Sequence, residues 1–268
     1  MTELENKKLF VFDMDGTIYL GNRVFPAALE FIKNLRKSGK KILFFTNNAS
    51  HSREFYLAKL ERLGFEPSED EIMTSGDVTV EYLLKYRSGK TVYLVGTQEL
   101  EGVFKNAGVP LTDGSHADIV VTSFDTELTY EKMKNACQLI MRGSEYLSTH
   151  PDFNCPTEDG FIPDSGAISA FVTASTSVTP TYFGKPYATA IDMMCSYTGV
   201  SKEDAVVFGD RLYTDIALGK RAGVTAVLVL TGETKEADLA ACPADQTPDM
   251  VYESLGAVGA EMFGSSNK

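Results

Sequence analysis

Two aspartates, Asp13 and Asp15, stand one residue apart directly after the apolar run Leu9–Phe12, and Gly16 and Thr17 follow them. Two carboxylates in one small cleft repel each other, which raises the pKa of one of them unless a cation lies between them. Carboxylate, carbonyl and water oxygens are the ligands that Mg²⁺ prefers. The pair therefore indicates a magnesium site, although Asp is also favoured in turns and helix caps that carry no chemistry.

Other polar residues follow apolar runs farther along the chain in the same way. They are Thr46, Asn47 and Asn48 after Ile42–Phe45, Lys185 after Thr181–Phe183, and Asp210 and Asp215 after Ala205–Phe208. The carboxyl ends of parallel strands meet at one edge of a sheet, where ligands bind. We therefore expect four strands of one core sheet to bring these acids, a hydroxyl and a lysine together.

This set of residues is suited to phosphoryl transfer, which needs positioning and neutralisation of charge. Asp13 is the predicted nucleophile that forms an aspartyl-phosphate, and Asp15 is the predicted general acid and base. Lys185 and Mg²⁺ are expected to neutralise the phosphoryl oxygens, while Thr46 donates a hydrogen bond to them. The predicted metal ligands are the Asp13 carboxylate, the Asp15 backbone carbonyl and Asp210. Asp215 is predicted to act on the metal through water or to orient the residues that bind it.

Each of these residues also has an ordinary explanation when it is considered alone. Lys185 is explained as a solvated surface lysine, and Asp210 and Asp215 as charges at the first turn of a helix. Asn47 and Asn48 are explained as a simple turn. The order of all these residues after successive apolar strands is what favours a catalytic site.

Short apolar runs alternate with amphipathic segments, which predicts an α/β fold with a parallel sheet. Residues 1–87 and 180–268 are predicted to form a discontinuous core, and residues 88–179 an inserted α/β domain. Residues 150–166 are rich in Pro, Asp and Gly and are predicted to be a long loop, which is typical of functional segments. The predicted helices are Ala27–Lys37, Arg53–Leu63, Asp77–Arg87, Gln98–Asn106, Tyr130–Met141 and Tyr187–Tyr197.

Composition excludes several classes of protein. The net charge of −12 argues against nucleic acid as a partner, and no apolar run approaches the ~20 residues of a membrane span. The four cysteines lie far apart with no metal-binding spacing, which is typical of free thiols in a reducing compartment. The polar N-terminus does not resemble a signal peptide. We expect a soluble cytoplasmic protein.

The motifs resemble those of the haloacid dehalogenase superfamily over nearly the whole chain. The match consists of Asp13-Met-Asp-Gly-Thr17, Thr46 at a strand end, Gly184-Lys185-Pro186 and Gly209-Asp210-Arg-Leu-Tyr-Thr-Asp215. Phe44-Phe-Thr-Asn-Asn48, Thr74-Ser-Gly76, Gly160-Phe-Ile-Pro-Asp-Ser-Gly166 and the large insert are similar to the NagD-like or p-nitrophenylphosphatase branch. The resemblance implies a Rossmann-like core, an α/β cap, and Mg²⁺-dependent hydrolysis of a small phosphorylated metabolite such as a sugar phosphate or nucleotide. It also implies that p-nitrophenyl phosphate serves as an artificial substrate.

The cap of such proteins commonly approaches the substrate through a Thr-Asn-Pro-Asp-like turn. Here the turn reads Thr149-His150-Pro151-Asp152, so His150 replaces asparagine and Asp152 is a predicted substrate-binding residue, together with Thr46, Asn47, Asn48 and Lys185. Asp164 stands where relatives often carry a small residue, which leaves the substrate open. Members with this type of cap often pair through their caps, so a homodimer is one expectation.

Three other functions compete with a phosphatase. A phosphomutase of the same superfamily would use the same residues under a cap that shields the intermediate from water. A signalling receiver module would also hold an aspartyl-phosphate beside Thr, Lys and Mg²⁺, but the Asp13–Thr17 order and the insert argue against it. A catalytically inactive sugar-phosphate binder is disfavoured because every proposed catalytic position is intact.

Overall fold

Buried strands and amphipathic helices alternate through the computed structural model, which describes residues 3–157 and 159–264. The strands are β1 Leu9–Phe12, β2 Tyr19–Leu20, β3 Arg23–Val24, β4 Lys41–Thr46, β5 Ile72–Thr74, β6 Val92–Val95, β7 Ile119–Thr122, β8 Glu145–Ser148, β9 Asn154–Thr157, β10 Gly160–Pro163, β11 Thr181–Tyr182, β12 Ala205–Gly209, β13 Thr225–Val229 and β14 Met250–Tyr252. The helices are α1 Glu3–Asn6, α2 Ala28–Lys37, α3 Arg53–Arg62, α4 Ser75–Tyr86, α5 Gln98–Asn106, α6 Tyr130–Met141, α7 Ser165–Thr176, α8 Thr189–Thr198, α9 Ala217–Ala222 and α10 Leu255–Phe263.

The chain folds into two units. The core unit comprises residues 3–46, 53–73 and 185–264, and the second unit comprises residues 47–52 and 74–184 without residue 158. The predicted domain limits at 88 and 179 differ from these limits, because residues 47–52, helix α4 and residues 180–184 belong to the second unit here. The predicted domain assignment stays a prediction.

A six-stranded sheet in the order β14-β13-β12-β1-β4-β5 forms the centre of the core unit, as far as the structure describes it. Strand β1 pairs in parallel with β12 and with β4, and β13 pairs in parallel with β12 and β14. All four residues of β1 are buried. Because β1 is a central strand, the residue that follows it is held at the middle of the carboxyl edge of the sheet.

Aromatic side chains fix the two strands that carry the acids. The rings of Phe12 in β1 and Phe208 in β12 stack with their centroids 4.9 Å apart, and Phe31 of α2 packs edge-on against both. These three rings are buried. Such aromatic pairs add about 0.5–1.5 kcal/mol beyond the burial of their area. The packing therefore holds the carboxyl ends of β1 and β12 side by side.

The second unit contains a four-stranded sheet in the order β11-β8-β7-β6, with parallel pairing throughout. Its core lies between this sheet and helices α6 and α7, where Met133, Ile140, Ile168 and Val172 are buried. Parallel sheets and helices in both units confirm the predicted α/β fold class.

Two predictions about the chain between 150 and 183 were wrong. Residues 150–166 are not one long loop, because β9 and β10 form an antiparallel hairpin and α7 begins at Ser165. Both strands are largely exposed, so they show no alternation of burial that a sequence pattern would reveal. Thr181–Phe183 does not belong to the core sheet, because Thr181 and Tyr182 pair with Leu147 and Ser148 of β8.

No helix in the described part of the chain is long and apolar enough to cross a membrane.

Candidate active site

Asp13 lies at the carboxyl end of β1, where its backbone N–H donates a hydrogen bond of 2.9 Å to the Phe208 carbonyl. Its side chain is 16% exposed, so one part of the carboxylate faces solvent while the rest is enclosed. The Lys185 ammonium contacts Oδ1, and the Thr17 hydroxyl lies 3.4 Å from Oδ2. A carboxylate held in this way is fixed in direction and still accessible from one side.

Lys185 reaches the same edge of the core sheet although the strand before it lies elsewhere. Its Nζ contacts Asp13 Oδ1 and lies 2.8 Å from Asp215 Oδ1, and its side chain is only 6% exposed. The prediction that Lys185 follows a strand of the core sheet was wrong. The prediction that it shares a cluster with Asp13 agrees with the geometry, because the chain re-enters the core unit at this residue.

Asp210 and Asp215 lie beside Asp13 beyond the end of β12. One carboxylate oxygen from each of the three residues lies within 4.8 Å of the other two. Asp210 Oδ2 accepts the N–H of Glu233 at 2.7 Å, and Asp215 Oδ2 accepts the N–H of Arg211 at 3.2 Å. The structure thus brings together three of the predicted metal-binding acids.

Two glycines leave room for these carboxylates. A Cβ atom at Gly232 would collide with the carboxylate of Asp210, and a Cβ atom at Gly209 would collide with the side chain of Asp215. Both collisions involve side chains that are buried and hydrogen-bonded, so neither can move aside at low cost. Glycine at these positions is therefore a condition for the cluster.

The electrostatics of the cluster follow from its burial. Burial raises the pKa of Asp13 to about 7, with the neighbouring Asp215 and Asp210 adding to the rise and Lys185 opposing it. Burial and Asp215 raise the pKa of Asp210 to about 6. For Lys185, burial lowers the pKa, but Asp13 and Asp215 outweigh it and the net change is upward. The cluster carries more negative charge than its lysine neutralises.

A divalent cation fits this cluster. Asp210 Oδ1 is buried and has no hydrogen-bond partner among residues 3–157 and 159–264. A buried carboxylate oxygen without a partner costs free energy, which an oxygen-seeking cation removes. Mg²⁺ in phosphoryl-transfer sites is bound by one or two carboxylates together with water and substrate phosphate, and this cluster offers carboxylate oxygens of that kind.

The Asp15 carboxylate lies apart from the three clustered acids. It is 53% exposed, accepts the N–H of Gly21 at 3.3 Å and lies 3.6 Å from the ammonium of Lys59. The backbone beside it is close to the cluster, since a Cβ atom at Gly16 would collide with the Asp210 carboxylate. The assignment of the Asp15 carbonyl to a metal and of its side chain to proton transfer stays a prediction.

The remaining predicted residues are divided between the two units. Thr46 ends β4, which pairs with β1 in the core unit. Asn47 belongs to the second unit, where its Nδ2 donates to Asp152 Oδ2 at 3.0 Å. Asn48 accepts the N–H and the hydroxyl of Ser50 with its Oδ1, which is the bonding of a local turn. The substrate-binding roles of these residues stay predictions.

Three contributors to the site were missed at the sequence level. Burial lowers the pKa of Arg211, but the carboxylates of Asp13, Asp215 and Asp210 outweigh it and raise the pKa. Lys59 lies against Asp15 and 4.2 Å from the centre of the Tyr19 ring. Glu233 holds Asp210 through its backbone. Residues 231–234 follow the parallel strand β13, and this position after a strand is the signal that could have identified them.

Sequence comparison gives relatives over the full length of the chain. Residues 10–110 match the family model of haloacid dehalogenase-like hydrolases, and residues 182–258 match a HAD-hydrolase-like model. An acid sugar phosphatase of Staphylococcus haemolyticus is 32% identical over 265 residues, which cover 99% of this chain and 100% of the relative.

Solved structures give the same result. A 4-nitrophenylphosphatase from Thermotoga maritima is 41% identical with a TM-score of 0.91, covering 98% of this chain and 100% of that chain. A putative NagD protein is 40% identical with a TM-score of 0.86, and the match covers 96% of this chain and 98% of that chain. A glycerol phosphate phosphatase from Mycobacterium tuberculosis, solved in complex with magnesium, is 26% identical with a TM-score of 0.87, covering 96% and 78%. The chain therefore belongs to the haloacid dehalogenase-like hydrolases and is a phosphatase of their NagD-like and p-nitrophenylphosphatase branch.

Proposed function

We propose that this phosphatase hydrolyses small phosphorylated metabolites through an aspartyl-phosphate formed on Asp13. The observation that carries the proposal is the position of the Asp13 carboxylate, which follows the central strand, contacts Lys185 and lies close to two further acids. A carboxylate in this position has a fixed direction of attack and a cationic partner for the group that it attacks.

Mg²⁺ is the proposed metal, held by Asp13, Asp210 and the Asp15 backbone carbonyl, with Asp215 as a direct or water-linked partner. The buried Asp210 Oδ1, which has no hydrogen-bond partner in the described residues, supports this choice. The magnesium complex of the mycobacterial relative agrees with it. When bound, the metal neutralises phosphoryl oxygens and fixes their orientation.

The residues of the chain divide the remaining work. Asp13 forms a bond to phosphorus as the bond from phosphorus to the leaving oxygen breaks, and Lys185 neutralises a nonbridging oxygen. The Thr46 hydroxyl donates a hydrogen bond to another nonbridging oxygen. Lys185 is suited to its task because the carboxylates around it keep it charged.

Asp15 is the proposed proton donor to the leaving oxygen. It then takes a proton from the water that attacks phosphorus and releases Asp13, so one residue serves both half-reactions. Its exposed side chain supports this role, because a general acid must reach the leaving group while the nucleophile is enclosed. The Gly21 N–H and the Lys59 ammonium contact the two oxygens of this carboxylate.

Sugar phosphates are the first substrates to test, because the staphylococcal relative carries that specificity in its name. Asn47 and Asp152 are proposed to contact the organic part of the substrate. The cytoplasmic location and a homodimer through the second unit stay predictions.

The decisive experiment is a phosphate-release screen over sugar phosphates, nucleotides and p-nitrophenyl phosphate, with Mg²⁺ and with EDTA. Asp13→Asn is expected to abolish phosphate release. Mass spectrometry of the wild-type protein, quenched with acid during turnover, is expected to show the added mass of one phosphoryl group on Asp13. Asp70→Asn is the matched control, because Asp70 is an exposed carboxylate outside the cluster. Release that persists in Asp13→Asn would overturn the nucleophile, and conversion of a sugar phosphate to its isomer without release would indicate a mutase.

A further inference from the structure

A chain of buried polar groups runs through the second unit. Ser75, His150 and Asp164 are 0%, 0% and 4% exposed. His150 Nε2 lies 2.8 Å from Asp164 Oδ1, and His150 Nδ1 lies 3.2 Å from the Ser75 hydroxyl and 2.9 Å from the Thr149 hydroxyl. Buried polar groups are costly unless they are bonded, so a chain of this length needs a reason to be present.

Both nitrogens of the His150 ring are used. A carboxylate only accepts hydrogen bonds, so Nε2 carries a hydrogen and donates it to Asp164. The other nitrogen accepts a hydrogen bond from the Thr149 hydroxyl at 2.9 Å, because the single proton of the nearby Ser75 hydroxyl is donated to the Asn47 carbonyl. The ring is therefore held at both ends, and its rotation would break at least one buried hydrogen bond.

Asp164 ties this ring to helix α7. It is the residue before the helix, and its Oδ1 also accepts the backbone N–H of Ser165 at 2.5 Å. One carboxylate thus satisfies an N–H of the first helical turn and the imidazole at the same time.

The turn Thr149–Asp152 is held closely by its surroundings. The N–H of Gly166 donates to the Asp152 carbonyl at 2.7 Å, and a Cβ atom at Gly166 would collide with the Pro151 carbonyl. A Cβ atom at Gly184 would lie 2.6 Å from the Cβ of His150 and 2.8 Å from the Thr149 carbonyl. The backbone of the turn is therefore packed directly against Gly166 and Gly184.

This turn and the Ser75 hydroxyl together hold Asn47. Ser75 donates a hydrogen bond to the Asn47 carbonyl, and the Asn47 amide donates to Asp152. Asn47 follows Thr46 directly in the chain, and Gly184 precedes Lys185. A shift of His150 would consequently move the two polar side chains assigned to the organic part of the substrate.

We propose that His150 and Asp164 are a positioning pair that fixes Asn47 and Asp152 for recognition of the hydroxyl groups of a sugar phosphate. The inference rests on the proposed function, because it takes the substrate-binding roles of Asn47 and Asp152 from there. It gives one function to two buried groups that are far apart in the sequence, since the histidine and the acid form one bond.

The test compares two substrates in His150→Ala, Asp164→Ala and the double variant. The sugar phosphate that the wild type hydrolyses best should lose about tenfold or more in kcat/KM, mainly through KM, because misplaced contacts cost binding and orientation. The loss for p-nitrophenyl phosphate should be at least about fivefold smaller, since its aryl group offers no hydroxyl to Asp152. The double variant should be no worse than either single variant, because both remove the same bond.

Two further variants separate positioning from mere stability. Asp164→Asn keeps an acceptor for the ring and for Ser165, and it should retain most of the sugar-phosphate activity. Val172→Ala removes buried volume from the same helix without touching the pair. It should lower the melting temperature, and any loss of kcat/KM should be equal for the sugar phosphate and for p-nitrophenyl phosphate. His150→Asn replaces His150→Ala in the comparison if the alanine variant does not fold.

Equal losses of kcat/KM for the two substrates in the His150 and Asp164 variants would overturn the positioning pair. A difference between the substrates of the same size in Val172→Ala would overturn it too. Additive losses in the double variant would overturn it as well. Asp13→Asn, assayed alongside, isolates the proposed function, because phosphate release that persists there refutes the nucleophile whatever the His150 variants do.

Discussion

The binding of Mg²⁺ should depend steeply on pH in the range where the enclosed carboxylates titrate. The pKa of Asp13 is raised to about 7 and that of Asp210 to about 6, both from an ordinary value of 3.8 and both mainly by burial. A metal binds the ionised carboxylates, so protons must leave before it binds. Raising the pH from 6 to 8 should therefore strengthen binding.

The size of the effect follows from the two pKa values. At pH 6 about one tenth of Asp13 and about half of Asp210 are ionised, while at pH 8 both are almost fully ionised. The apparent Kd for Mg²⁺ should thus fall about 20-fold between pH 6 and pH 8, and binding at pH 6 should release about 1.4 protons. With ordinary carboxylates the affinity would be nearly constant over this range.

Isothermal titration calorimetry in buffers of different ionisation enthalpy measures both quantities on metal-free protein. Asp210→Asn should bind Mg²⁺ more weakly at every pH, and its affinity should change by no more than about tenfold from pH 6 to pH 8, because Asp13 then titrates without the Asp210 charge that helps to raise its pKa. Asp70→Asn should behave as the wild type. Equal affinities at pH 6 and pH 8, with no proton release at pH 6, would refute the raised pKa values of Asp13 and Asp210.

Four further predictions concern the same unit. The folded, metal-free protein holds more protons than the unfolded chain between about pH 4 and pH 7, so its free energy of unfolding in urea should fall as pH rises through that window and recover with saturating Mg²⁺. Asp15→Asn should slow formation of the covalent intermediate far more for alkyl than for aryl phosphates in rapid-quench experiments, and equal losses would contradict the acid role. Gly232→Ala should weaken Mg²⁺ binding by about tenfold or more by displacing Asp210, whereas Gly102→Ala, where a Cβ atom has open space, should not. Phe12→Ala should lower the free energy of unfolding by about 3–5 kcal/mol, measured in urea, because its ring is fully buried between Phe31 and Phe208.

The elements with strong local patterns were predicted from the sequence to the residue. Leu9–Phe12 as a strand, and Gln98–Asn106 and Tyr130–Met141 as helices, have the predicted bounds. In each of them local signals agree, such as the Thr97 and Thr129 hydroxyls that cap the two helices. Hydrophobic periodicity and capping act over a few residues, so they can be read without knowledge of the tertiary fold.

The partner of a short strand was not predictable in this way. Thr181–Phe183 has the composition of a strand before a lysine, but nothing in three residues says which sheet it joins. The hairpin Asn154–Pro163 escaped prediction because its strands are exposed and contain Pro156 and Pro163, which argue against a strand. Pairing over long sequence distances depends on packing that the local pattern does not contain.

The sequence by itself determined the residue types at the ends of the strands, their order, and the resemblance to a phosphatase family that the comparisons confirm. It predicted that Asp13, Asp210 and Asp215 meet at one edge of a sheet, because each follows a strand of one parallel sheet. Lys185 joins them by another route, since the strand before it pairs with β8. Tertiary structure alone decided that Asp15 points its carboxylate away from the other acids, that Glu233 and Gly232 hold Asp210, and that His150 and Asp164 form one buried bond. Those features depend on distances of a few ångströms between segments far apart in the chain, which only packing of the folded chain sets.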